Sequence, residues 1–82
     1  MNTTNAEYLQ TDLRHLIHAL HNRKLHESCG HVWVKGEGAI LVDADGREFI
    51  DGLSGLWNVV AGHGRTELVE AAAAQMQTLA YC

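Results

Sequence analysis

The sequence predicts an α+β architecture: an amino-terminal helix, a three-stranded antiparallel meander and a carboxy-terminal helix. Apolar residues recur at helical spacing near the amino terminus. Three short apolar runs with turn residues between them fill the middle. An alanine-rich stretch with one apolar stripe closes the chain. No repeat, low-complexity tract or linker divides it, so residues 1–82 read as a single segment.

Met1 to Asn5 is polar, lacks a periodic apolar residue and is expected to be frayed and disordered. From Ala6 onward, Leu9, Leu13, Leu16, Ile17 and Leu20 fall on one face of a 3.6-residue period, which predicts a helix over roughly residues 6–20. Asn5 is the expected N-cap, and Glu7 sits near the positive end of the helix dipole.

Residues 18–30 read as a polar connection carrying His18, His21 and His26, with His15 just upstream. Histidine, cysteine and glutamate are competent metal ligands, but one cysteine makes no compact zinc pattern. His15, His18 and His21 step around a helix three apart and would not converge on one ion. A solvated connection is the expectation, and no metal ligand is assigned.

Val32-Trp33-Val34, Ile40-Leu41-Val42 and Phe49-Ile50 are the expected strands. Gly36-Glu37-Gly38 is read as the first turn, because a dinucleotide fingerprint would need a third glycine and a following helix. Asp43-Ala44-Asp45-Gly46 is read as a type I turn with a following glycine. A calcium loop would place glycine sixth and a bidentate glutamate twelfth, whereas Gly46 is fourth and Ser54 twelfth.

Gly52 to Asn58 mixes glycines with Leu53, Ser54, Leu56 and Trp57 and reads as a shaped loop. Gly62-His63-Gly64 breaks the backbone before a helix expected over Glu67–Ala80, with Thr66 as its cap. Glycines ahead of a helix can cradle phosphate, but helix entry is the simpler account. Leu68, Ala72, Met76 and Leu79 form one stripe of that helix, widened by Val69, Ala73 and Ala80.

At this length a chain buries only about 60–65% of the surface its unfolded form exposes, so any core is thin. The formal charge is −4, which provides no basic footprint for nucleic acid. Cys29 and Cys82 do not make a disulfide framework and are expected to be reduced thiols. With neither a signal-peptide pattern nor a spanning apolar run, a cytoplasmic setting without membrane contact is the expectation.

Gly36-Glu37-Gly38, then Asp43 to Asp51, then Ser54-Gly55-Leu56-Trp57-Asn58, then Gly62-His63-Gly64 form an ordered series. That series resembles the amino-terminal region of class III (omega) aminotransferases. The resemblance covers Val32 to Tyr81 and, more loosely, the chain from Leu13, and it implies that the first helix ends a few residues before position 20. Its Ser-Gly-Leu-Trp-Asn version is most similar to the branch that moves amino groups from omega-amino acids or amines to pyruvate. It implies a fold-type-I α/β transferase using pyridoxal 5'-phosphate, in which this chain is the amino-terminal part of the small domain and packs across a homodimer interface. The family's prolines before the meander have no counterpart in His18-Ala19 or Gly30-His31, which leaves that segment more conformations to lose on folding.

A transaminase needs a Schiff-base lysine, a carboxylate on the pyridine nitrogen and phosphate donors. Lys24 in the polar connection and Lys35 beside Glu37 stand outside the family's lysine context, so no catalytic and no cofactor-binding residue is assigned. The resemblance does imply substrate-binding roles for Leu56 and Trp57, on the wall of the amine pocket. Read from the residues alone, Trp57 is a core anchor, and Trp33 is a packing residue of its strand. The competing expectation is a free-standing α+β interaction module that docks on a partner through its helices.

Overall fold

The computed structural model describes residues 3–19 and 21–82. Its elements run α1 (Asn5–His15), α2 (Arg23–Cys29), β1 (Trp33–Glu37), β2 (Ile40–Asp43), β3 (Glu48–Ile50), the single turn α3 (Ser54–Trp57) and α4 (Thr66–Thr78). The strands form one antiparallel sheet in the order β1-β2-β3, as the spacing of apolar runs and turns predicts.

The first helix departs from expectation at both ends. Thr4, not Asn5, is its N-cap: the Thr4 hydroxyl accepts from the Glu7 N–H, and the Glu7 carboxylate accepts from the Thr4 N–H at 2.7 Å. This is a capping box, which satisfies two helix-end donors reciprocally. Thr4 and Asn5 are therefore the cap and the first residue of α1, while Met1 and Asn2 of the expected frayed tail lie outside the described residues.

At the other end α1 stops at His15 because Leu16 turns extended, with φ −119° and ψ 144°. The Arg23 guanidinium donates to the Leu13 carbonyl at 3.2 Å and satisfies one of the acceptors the helix leaves open. The apolar periodicity beyond His15 is thus not helical, and Leu20 lies outside the described residues.

The connection expected over residues 18–30 contains a second helix. Asn22 caps α2 by accepting from the Leu25 N–H at 3.2 Å, and Arg23 pairs with Glu27 at 3.1 Å one turn on.

In the meander the first turn is Gly38-Ala39, one step later than expected, because Gly36 and Glu37 are paired in β1 opposite Leu41 and Ile40. The second turn is as read: Gly46 takes φ +83°, a left-handed conformation that glycine adopts without strain, and its N–H bonds the Asp43 carbonyl at 3.0 Å. A register shift between Trp33 and Lys35 marks a bulge in β1. Trp33, Leu41 and Phe49 consequently share one face of the sheet, and Lys35, Val42, Glu48 and Ile50 the other.

The last helix begins at Thr66, with Arg65 in the cap position and no side-chain cap, and ends at Thr78. Thr66 is therefore its first residue and not its cap. Every residue of α4 is exposed, including the stripe of Leu68, Met76 and Leu79.

Polar groups occupy the interior. Among the described residues no hydrophobic side chain is buried, while Asn5 is 7% and Asp43 1% exposed. The Asn5 side chain donates to the Gly30 carbonyl at 3.0 Å and accepts from the Val32 N–H at 2.7 Å, and its own N–H donates to Asp45 at 2.9 Å. One side chain thus ties the start of α1 to the entry of β1 and to the second turn. The accessible surface is 6959 Å², against about 4,900 Å² for a compact monomer of this mass. The radius of gyration, 15.4 Å, likewise exceeds the value of about 12 Å for a compact chain of this length.

Candidate functional site

The site is built on the end of β3, where the chain leaves the sheet through Asp51 and Gly52 into α3. The α3 turn carries helix-like hydrogen bonds, from the Trp57 N–H to the Leu53 carbonyl and from the Asn58 N–H to that of Ser54, each 3.1 Å. Its dihedrals are not helical: Ser54 has φ +51°, Gly55 φ +69° and Trp57 φ +62°. Two non-glycine residues in the left-handed region are uncommon and persist only where their surroundings enforce them.

Asp51 supplies that enforcement. One carboxylate oxygen accepts from the Gly55 N–H at 2.8 Å and from His63 Nε2 at 2.6 Å. The hydrogen bond from His63, opposed by partial burial and helped by the Gly55 N–H, holds the Asp51 carboxyl below its ordinary range. His63 is itself fixed by backbone bonds in both directions with Gly38, at 2.8 and 2.9 Å. Its ring lies over Gly36, where an added Cβ would come within 2.8 Å of the ring. The sheet, the Gly62-His63-Gly64 segment and α3 are thereby locked together, so the glycine triplet serves close backbone approach to the first hairpin.

A cleft of about 720 Å³ opens between the sheet face and α3, lined by Trp33, Phe49, Asp51, Leu53, Gly55 and His63. His31, which does not itself line the cleft, stacks on Trp33 with ring centroids 5.3 Å apart, and Phe49 meets both edge-on. Asp43 anchors this group from the neighbouring turn, accepting from the Arg47 side chain at 2.7 Å and backbone at 2.9 Å, and from His31 at 3.3 Å. Burial alone would raise the Asp43 carboxyl, but these bonds outweigh it and bring it down to about 2.

Leu56 and Trp57, the residues singled out by resemblance, do not line that cleft. They stand on the outside of α3, Leu56 56% and Trp57 75% exposed. Like every described apolar side chain, Trp57 is unburied in this chain. Asp51 and His63, which set the conformation of the turn, are absent from the sequence-based site. The spacing of an acid and a histidine twelve residues apart carries no signal until the fold brings them together.

The residues present do not form a cofactor site for pyridoxal 5'-phosphate. Lys24 is exposed, and Lys35, which lines the cleft beside Trp33, is an exposed cation 3.7 Å from Glu37. One further cluster lies apart from the turn: Asp12 accepts from His18 Nε2 at 2.7 Å and from His26 Nε2 at 2.8 Å. Bonds from His26 and then His18 hold the Asp12 carboxyl below its usual range, against a smaller opposing effect of burial.

The class III aminotransferase family model matches residues 21–82. A taurine–pyruvate aminotransferase of Rhodobacter capsulatus is 44% identical over 78 residues, 93% of this chain and 17% of that protein. An omega-amino acid–pyruvate aminotransferase of Pseudomonas putida is 54% identical over 48 residues, 58% of this chain and 11% of that one. The crystal structure of a thermostable (S)-enantioselective omega-transaminase from Thermomicrobium roseum superimposes with a TM-score of 0.82 at 42% identity, over 96% of this chain and 18% of that one. The chain belongs to the class III aminotransferases, a family dependent on pyridoxal phosphate, and matches their amino-terminal region. It spans less than a fifth of the length of these relatives.

Proposed function

We propose that the chain is the amino-terminal part of the small domain of a pyridoxal 5'-phosphate-dependent aminotransferase that moves an amino group from an omega-amino acid or amine to pyruvate. In this reading it contributes one wall of the donor pocket through Leu56 and Trp57 and has no activity alone. The cofactor is held by the rest of the enzyme, a cytoplasmic homodimer with its active site at the subunit interface. What carries the reading is the presentation of Trp57: a large indole at φ +62°, on a turn tied to the sheet through Asp51 and His63, is 75% exposed. Such a group is organised to meet something else. An indole offers a broad apolar face and one N–H donor, the equipment of a pocket wall.

The free-standing module is not favoured. A module would need a core of its own, and no described apolar side chain is buried. Among the described residues no helix is long and apolar enough to cross a membrane, and the wide apolar faces fit protein contacts.

The test is the Trp57→Ala substitution in the complete enzyme, with kcat/KM measured for a slim and a bulky amine donor. A pocket indole removed should shift the ratio between the two donors by about 10- to 200-fold. An equal loss with both donors, together with unfolding, would return Trp57 to a structural role.

A further inference from the structure

The structure assigns a divalent transition-metal site to Asp12, His18 and His26, at the junction of α1, the connection after it and α2. One carboxylate oxygen and the two imidazole nitrogens all lie within 4.8 Å of one another, close enough to surround a single ion after small side-chain rotations. The three residues come from three separate pieces of backbone, six and fourteen positions from Asp12, so this is a tertiary constellation and not a run of neighbours. Asp12 and His26 are largely shielded from solvent, and His18 is half-exposed at the mouth.

The donor set selects the ion. Two imidazoles and one carboxylate suit Zn²⁺, Co²⁺ or Ni²⁺, whereas Ca²⁺ and Mg²⁺ prefer all-oxygen shells. Three protein ligands leave an open position for water, as in sites that are not fully closed by protein. His21 stands beside that position, its ring 5.1 Å from that of His18 and 5.2 Å from that of His26. Its Nδ1 donates to the His18 carbonyl at 2.8 Å, since a carbonyl only accepts. Without metal, the Nε2 protons of His18 and His26 point at Asp12. On binding, each of these protons moves to Nδ1 or leaves to solvent, and the carboxylate exchanges two hydrogen bonds for one metal bond. The occupied site would clip the connection and α2 onto the end of α1.

The experiment titrates the metal-free complete enzyme that carries this segment with ZnCl₂ by calorimetry and with CoCl₂ by visible absorption, and follows the histidine ring signals by NMR. One saturable site is expected, with Co²⁺ broadening the His18 and His26 signals and leaving those of His31 and His63 sharp. Asp12→Asn, His18→Ala and His26→Ala should each weaken binding about tenfold or more, whereas His15→Ala and His31→Ala should leave it unchanged. His18 lies outside every helix, and far-ultraviolet circular dichroism checks that its replacement leaves the helix content unchanged. Absence of a saturable site, or equal weakening by every histidine substitution, would overturn the assignment.

Discussion

Asp43 and Asp51 show how single carboxylates do the work that apolar side chains do in larger cores. Asp43 accepts from the Asp45 and Arg47 backbones and the Arg47 side chain, and its carboxyl lies at about 2 as a result. A group whose folded value lies below its unfolded one adds stability that is full above the unfolded value near 4 and is lost as pH falls toward 2. The second turn should therefore loosen between pH 4 and 2, and Asp43→Asn should abolish that step while weakening the turn at neutral pH. Amide chemical shifts of Asp45 and Arg47 followed through an acid titration check both outcomes. Gly36 is the complementary case, since it matters for what it lacks. In Gly36→Ala the new methyl meets the His63 ring and pushes it from Asp51, which should cost about 1–3 kcal/mol. Within the complete enzyme, the same substitution should also blunt the donor preference proposed for Trp57, which steady-state kinetics can read.

At the scale of elements, the parts set by local chemistry were legible and the parts set by tertiary contact were not. The meander follows from short apolar runs separated by residues that turn, and it formed where the sequence places it. The start of α1 was also readable: Thr4 and Glu7 stand at capping-box spacing, a stronger signal than Asn5 alone. Thr4→Ala should cost about 1 kcal/mol of helix stability, measurable as faster amide exchange in the first turn of α1 within the complete enzyme. The end of α1 was not readable, because the apolar spacing continues through Leu16 and Ile17. What stops the helix is distant in sequence, namely Arg23 on the Leu13 carbonyl and His18 folded back on Asp12. α2 escaped notice because its only large apolar residue, Leu25, gives no periodicity, although the Asn22 cap and the Arg23–Glu27 pair were visible. The proposed substrate wall rests on resemblance alone, since nothing in the Leu56–Trp57 pair itself separates a wall from a core anchor.

For the whole molecule the decisive quantities are the surface of 6959 Å² and the absence of a buried apolar side chain among the described residues. About 2,000 Å² more surface is exposed than a compact monomer of this mass would show. Much of it is apolar and continuous along α4 through Leu68, Val69, Met76 and Leu79. A small core rarely supplies more than about 3–5 kcal/mol without staples, and here the interior is two polar residues. The isolated chain is therefore expected to be marginally folded and to self-associate, visible as concentration-dependent sedimentation. It should also form no alanine from pyruvate and an amine in the presence of pyridoxal phosphate. Amide hydrogen exchange, recorded for this chain alone and for the same residues within the complete aminotransferase, tests most directly whether it is a part built to be covered. The account expects α4 amides to exchange at nearly unfolded rates in isolation and to be strongly protected in the enzyme. Equal, strong protection of α1, α4 and all three strands in a monodisperse isolated monomer would contradict it.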